Sequence, residues 1–90
     1  MFRRFRIEGH SMEPALRAGS SVLVRKTKRV REGDIVAFRL DNDPSKVFVK
    51  RIVNRADDDS FVAEGDNRVD TTGPYRVCRP EVIGKVVLRY

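Results

Sequence analysis

The chain has few of the residues that build covalent cross-links or metal centres. Its 90 residues include one cysteine, one histidine and no tryptophan. Because Cys78 is the only cysteine, an intramolecular disulfide and a cysteine-cluster metal site are both excluded, and a reducing compartment is favoured. We therefore expect a protein that uses no metal and no other cofactor.

The chain also lacks a long apolar run. Its longest uninterrupted apolar stretch is residues 35–38, whereas a helix that spans a membrane needs about 20 largely apolar residues. Three arginines interrupt the first seven positions, where a signal peptide would need a continuous apolar segment. These features predict a soluble chain without a transmembrane segment.

The charge balance is basic, with 19 lysines and arginines against 13 acidic residues and a formal net charge of +6. Such a charge is compatible with nucleic acid or an anionic membrane surface as a partner. No helix-turn-helix, zinc-finger or aromatic RNA-binding motif accompanies it, so we expect no nucleic-acid partner and interpret most of these residues as outward-facing strand positions. A membrane surface remains open as a partner. The basic residues concentrate in the first third of the chain: Arg3, Arg4, Arg6, Arg25, Lys26, Lys28, Arg29 and Arg31.

The distribution of apolar and turn-forming residues indicates short strands. Valine, isoleucine and phenylalanine alternate with polar residues, and glycine or proline recurs between these segments. We predict one mainly β domain over residues 1–90, with a helical turn from Pro80 to about Gly84. The predicted strands lie at residues 4–7, 22–24, 34–40, 46–53, 61–64 and 85–90.

One predicted strand, residues 46–53, carries a lysine on an apolar face. Side chains alternate along a strand, so Phe48, Lys50 and Ile52 share one face. Burial disfavours the ammonium form and can lower a lysine pKa from about 10.4 toward the about 7–8 that suits a general base. A lysine in this pattern also commonly extends its amine to solvent and has no chemical role.

Ser11 is the candidate nucleophile. Pro14 keeps Glu13 out of helical angles, so Ser11 is predicted to lie at a bend that follows the first strand. A serine needs a base to take its proton. The adjacent His10 side chain is expected to diverge, and the chain has no second histidine for a serine, histidine and aspartate triad. A carboxylate or a lysine must then serve as the base.

Several segments, in order along the chain, resemble the catalytic boxes of type I signal peptidases, members of the superfamily that also contains the self-cleaving repressors. Residues 9–16, Gly-His-Ser-Met-Glu-Pro-Ala-Leu, resemble the nucleophile box, and residues 49–53, Val-Lys-Arg-Ile-Val, resemble the general-base box. Residues 65–67, Gly-Asp-Asn, and residues 82–86, Val-Ile-Gly-Lys-Val, resemble the later boxes. The resemblance implies a small coiled antiparallel sheet or partial barrel like the signal peptidase catalytic core.

The resemblance implies a catalytic role for two residues, with Ser11 as the nucleophile and Lys50 as its general base. It further implies that the backbone N–H of Ser11 helps to stabilise the oxyanion. Gly9 occupies the place where some members carry a hydroxyl donor, so that donor is absent.

The resemblance also implies supporting residues. Gly65, Asp66 and Asn67 are expected to support the site, although taken alone they predict a tight turn with positive φ. Thr71 is the best candidate to orient the Lys50 amine. The family's Asp-Ser-Arg element is missing, because residues 70–73 read Asp-Thr-Thr-Gly.

The function implied is that of a serine endopeptidase that removes a leader or signal peptide from a precursor protein, with small residues on the acyl side of the cleaved bond. A soluble maturation protease, similar to those that process nickel-type superoxide dismutase precursors, is one form of this function. We expect a cytoplasmic location if the chain is complete and a membrane-associated one if an anchor was removed.

There are two alternatives to this function, and the sequence argues against the first of them. A self-cleaving repressor would carry an upstream DNA-binding domain and a cleavage segment, for which the ten residues before Ser11 leave no room. The Gly-Asp-Asn segment also favours the signal peptidase side. The second alternative is a non-enzymatic basic β domain of the same fold that binds nucleic acid or protein.

Overall fold

The computed structural model describes residues 1–69 and 73–90. Seven strands and one short 3₁₀ helix, Arg79–Glu81, account for the regular structure of these residues. No helix among them is long and apolar enough to cross a membrane. The strands are β1 Phe2–Arg6, β2 Ser21–Lys26, β3 Ile35–Phe38, β4 Phe48–Asp57, β5 Ser60–Glu64, β6 Tyr75–Cys78 and β7 Val82–Arg89.

All seven strands form one sheet in the order β1-β2-β7-β3-β4-β5-β6, and every neighbouring pair is antiparallel. Strands β3 and β4 form a hairpin, in which Val36 is paired with Lys50. The last strand, β7, lies between β2 and β3 and joins the pair formed by β1 and β2 to the rest of the sheet. Strands β1 and β6 are the edges.

The sheet has apolar clusters on both faces because side chains alternate along each strand. Strand β3 illustrates this: Val36 and Phe38 pack in one cluster, whereas Ala37 between them packs in the other. All three are fully buried. The first cluster also contains Phe48, whose ring stacks on that of Phe38 with centroids 5.3 Å apart. Burial of such side chains stabilises the fold by about 1.5–3 kcal/mol each.

Close packing of β7 against β2 depends on Gly84. A Cβ atom at this position would lie 2.1 Å from the carbonyl oxygen of Arg25 and 2.8 Å from a methyl group of Val24. Only glycine allows the two backbones to approach this closely.

The mainly β fold predicted from the sequence is confirmed, and the predicted strands all occur with modest shifts of their ends. Strand β6 was not predicted from the sequence, because only two of its four side chains, Tyr75 and Val77, are apolar or aromatic and directed toward the core. The helical turn after Cys78 ends at Glu81, earlier than expected, and Gly84 belongs to β7.

Candidate active site

Ser11 lies in a turn that follows β1 and is anchored at both ends. Before it, the N–H of Ile7 donates to the carbonyl of Ser20 at 2.8 Å. After it, the side chains of Met12 and Leu16, which are 1% and 2% exposed, pack into the second apolar cluster. The N–H of Leu16 also donates to the carbonyl of Met12 at 2.9 Å. Ser11 itself is half-buried on this fixed turn.

The structure brings Lys50 to Ser11. Lys50 lies in β4 between Phe48 and Ile52 and is 7% exposed, as the strand alternation predicts. Its Nζ donates to Ser11 Oγ at 2.7 Å. The same Nζ lies 5.9 Å from the centre of the Tyr75 ring. A serine hydroxyl and a desolvated amine are therefore within hydrogen-bond distance, the arrangement that proton transfer between them requires.

Asn67 holds the backbone of the serine turn. Its N–H donates to the carbonyl of Ser11 at 2.8 Å, and its side-chain Nδ2 donates to the carbonyl of His10 at 3.0 Å. Its Oδ1 accepts from the N–H of Val69 at 3.2 Å. The two peptide carbonyls on either side of the serine are thus fixed by one residue from a distant part of the chain.

Asp66 is held by Arg51, the residue that follows Lys50. Arg51 Nε and Nη2 donate to the two carboxylate oxygens of Asp66, each at 2.8 Å. Arg51 Nη1 donates to the carbonyl of Gly33, also at 2.8 Å. The hydrogen bond to Asp66 raises the pKa of Arg51 above its already high value. Because Arg51 and Lys50 are neighbours, this fork ties the segment that holds the serine turn to the strand that carries the lysine.

Gly65 is buried at the start of the same segment. It does not have the positive φ that a tight turn of this sequence predicts, so that expectation was wrong. Gly65 directly follows the last residue of β5. The chain then bends at Asp66, whose carboxylate is held by the guanidinium of Arg51.

Arg51 is a described residue whose supporting role was not predicted from the sequence. Its only signal was that arginine follows lysine in residues 49–53.

His10 interacts with Glu13. Its Nδ1 lies 3.0 Å from Glu13 Oε2, and the imidazole side chain is 60% exposed. This hydrogen bond is the main reason that the pKa of Glu13 lies below its ordinary value. The imidazole therefore contacts a carboxylate within the turn, in agreement with the expectation that its side chain diverges from that of Ser11.

A groove with a volume of about 720 Å³ opens over the Ser11 and Lys50 side chains. Residues 6–12 line one side and residues 45–50 line the other, with Val69 and Tyr75 completing it.

Thr71 and its neighbours Asp70 and Thr72 lie outside the described residues, so the expectation that Thr71 orients Lys50 stays a prediction. No group of three histidine, cysteine, aspartate or glutamate side chains within residues 1–69 and 73–90 is placed to hold a metal ion.

A family model described as Peptidase S24-like matches residues 4–87. The matched stretch contains Ser11, Lys50, Arg51 and the Gly-Asp-Asn segment. No curated protein was found to match the chain.

Proposed function

The chain belongs to the Peptidase S24-like family, and from that premise we propose that it is a serine endopeptidase in which Ser11 is the nucleophile and Lys50 is the general base. One observation carries this proposal: Lys50 Nζ lies 2.7 Å from Ser11 Oγ while the lysine side chain is almost fully buried. Ser11 and Lys50 come from separate segments, and the backbone of each segment is fixed. The short distance between the two side chains is therefore set by the fold.

In the proposed reaction, Lys50 acts in its neutral form. The Ser11 hydroxyl then donates to the Nζ lone pair across the same short contact, and Lys50 takes the proton as Oγ bonds to the carbonyl carbon of the peptide. The resulting oxyanion is stabilised by the backbone N–H of Ser11. Lys50 next gives its proton to the leaving amine, the peptide bond breaks, and an acyl-enzyme remains on Oγ.

The second half of the reaction uses the same residues. Lys50 takes a proton from a water molecule, and the hydroxide attacks the acyl carbon. The bond to Oγ then breaks, Ser11 recovers its proton from Lys50, and the new carboxyl end is released. Every proton that leaves Ser11 or water therefore passes through one amine.

Asn67 and Arg51 are positioning residues in this proposal. Asn67 holds the carbonyls of His10 and Ser11 and so fixes the direction of the serine N–H and side chain. Arg51 holds Asp66 and through it the position of Asn67. Small displacements at a nucleophile reduce rates strongly, so both contacts favour catalysis without touching the substrate.

We further propose that the substrate is a precursor protein from which a leader or signal peptide is removed. The groove supports an extended peptide between residues 6–9 and residues 45–49, next to the dyad that Ser11 and Lys50 form. The aromatic rings of Phe48 and Tyr75, with centroids 5.1 Å apart, occupy space beside Lys50 and favour a small residue on the acyl side of the cleaved bond.

The test is cleavage of a proteome-derived peptide library, with new termini identified by mass spectrometry. The wild-type protein is compared with Ser11→Ala and Lys50→Met, and Ser20→Ala is the matched control because it removes a serine hydroxyl that does not line the groove. We expect both dyad variants to lose at least about a thousandfold in rate and the control to keep most of it. Cleavage that persists in both dyad variants would refute the assignment.

The pH dependence provides a second test of the base. Activity is expected to rise with pH as Lys50 loses its proton, because only the neutral amine can accept the serine proton. A flat profile across the weakly alkaline range would contradict the role of Lys50. A basic β domain without catalytic activity would instead give no cleavage in any form and a salt-sensitive affinity for nucleic acid that survives both substitutions.

A further inference from the structure

A second groove, separate from the one over the dyad, lies where β1, β2 and the start of β7 meet the segment after β3. It has a volume of about 550 Å³ and shares no lining residue with the first. We call it the basic groove, since Arg3, Lys26, Lys28 and Arg39 line it together with two acidic residues. Its size lies within the range of small-molecule sites.

The four basic side chains of this groove have no carboxylate partner among the residues that the structure describes. Within residues 1–69 and 73–90, none of them makes a salt bridge, although Asp41 and Glu81 line the same groove. Within the described residues, salt bridges are made by Arg51, Arg76, Arg79 and Lys85. Basic side chains without one, such as Arg29, also occur outside the groove, so the groove is distinguished by the number of cations that line it.

Glu81 is held in place by two backbone hydrogen bonds. One carboxylate oxygen accepts from the backbone N–H of Asp41 at 2.8 Å, and the other accepts from the N–H of Cys78 at 2.8 Å. The carboxylate therefore serves to fix the backbone around the groove. Glu81 and Asp41 both keep their negative charge, and the four basic side chains that line the same groove are in excess over these two carboxylates.

Lys28 is fixed in place by backbone carbonyls. Its Nζ donates to the carbonyl of Pro80 at 2.9 Å and to that of Val82. An ammonium group has three N–H donors, so one is left for a ligand. Because the amine is already held, binding to it costs little additional side-chain entropy.

Arg39 has a buried donor without a partner. Its Nε is shielded from solvent and makes no hydrogen bond with any described residue. Buried donors of this kind are rare in folded proteins, and an unfilled ligand site is one of their explanations. Arg39 lines the basic groove together with Leu40, which packs against the first apolar cluster, and Ile83, which packs against the second.

From these contacts we infer that the basic groove binds a small organic anion that carries a phosphate or carboxylate group on an apolar body. The anionic group lies between Arg39 and Lys28, where it accepts from the guanidinium and from the third ammonium N–H. The apolar body lies against Leu40 and Ile83. The inference does not depend on the proposed peptidase activity, since the two grooves share no residue.

The experiment is an NMR titration of the intact chain with phenyl phosphate, which has both an anionic group and an apolar ring. The Nε–H signal of Arg39 is expected to shift in a saturable manner, together with the backbone signals of Leu40 and Ile83. Benzyl alcohol and inorganic phosphate, each with one half of the chemistry, are expected to bind more weakly. An Arg39 signal that does not move would overturn the inference.

The matched variants separate local recognition from total charge. Arg39→Gln is expected to weaken phenyl phosphate binding about tenfold, because a charge-assisted hydrogen bond is lost. Arg29→Gln removes the same charge from an exposed residue of the neighbouring loop that does not line the groove, and is expected to leave binding unchanged. Equal weakening by both variants would contradict a built site.

Two further measurements keep the outcome decisive. If Arg39→Gln perturbs the folded spectrum as a whole, Lys26→Gln is used in its place and is expected to weaken binding about threefold, as a solvated charge near an anion does. Binding of a single-stranded DNA oligonucleotide without binding of phenyl phosphate would also overturn the inference, since the groove would then be part of a surface for polyanions.

Discussion

The fork between Arg51 and Asp66 leads to a prediction about stability. The two side chains are 33% and 21% exposed and share two hydrogen bonds of 2.8 Å. Exposed ion pairs contribute about 0.2–1 kcal/mol, whereas removal of one partner from a fully buried pair costs about 3–5 kcal/mol. The bidentate geometry and partial burial place this pair between the two limits. We expect a coupling free energy of about 2 kcal/mol.

The assay is a double-mutant cycle with Arg51→Gln, Asp66→Asn and both changes together, measured by urea unfolding. In a separate thermal melt, the single variant Asp66→Asn is expected to lower Tm by about 10 °C, because about 1 kcal/mol corresponds to about 4–8 °C in a domain of this size. The control cycle uses Arg76 and Asp57, whose contacting side chains are 64% and 51% exposed. Its coupling is expected to be clearly smaller, because solvent screens an exposed ion pair.

A coupling at Arg51 and Asp66 no larger than at the exposed control pair would refute this reasoning. It would mean that the fork forms only after the Gly-Asp-Asn segment has been placed by other contacts. A further check is the salt dependence, since a partly buried pair should lose less of its coupling at high ionic strength than an exposed pair.

Three other predictions concern a packing contact and two titrating groups. Gly84→Ala is expected to destabilise the fold by about 3 kcal/mol in urea unfolding, because the added methyl group overlaps the Arg25 carbonyl; a loss below about 1 kcal/mol would mean that the strands separate easily. His10→Ala is expected to raise the pKa of Glu13 toward its ordinary value in an NMR titration, since the lost hydrogen bond favours the ionised carboxylate; an unchanged value would contradict this cause. Cys78 is exposed, but partial desolvation and nearby negative charge raise its pKa. Its reaction with a disulfide reagent at neutral pH should therefore be slower than that of free cysteine and should become faster as pH rises. A rate equal to that of free cysteine would contradict the raised pKa.

The placement of Lys50 illustrates what could be predicted from the sequence. Alternation along residues 46–53 put the lysine on the face of Phe48 and Ile52, and the structure has it there, 7% exposed. The bend at Ser11 followed in the same way from Pro14. Both features depend on local backbone geometry, which extends over only a few residues and can be read from neighbours in the chain.

The contacts of Asn67 and Arg51 illustrate what could not be predicted. The sequence indicated that residues 65–67 support the site, but not that Asn67 bonds to the backbone of Ser11 or that Asp66 bonds to Arg51. Such contacts depend on the order of strands and on the register of each pair. Neither quantity is encoded in a local pattern, because many registers satisfy the same alternation of apolar and polar residues.

The sequence by itself determined the mainly β class, the apolar face around Lys50 and the turn that carries Ser11, since each follows from short-range alternation and turn chemistry. Only the tertiary structure decided that β7 inserts between β2 and β3 and that Lys50 Nζ reaches Ser11 Oγ at 2.7 Å. It also placed four basic residues around a second groove. These outcomes depend on long-range pairing, in which residues far apart in the chain are brought together by the packing of the whole sheet.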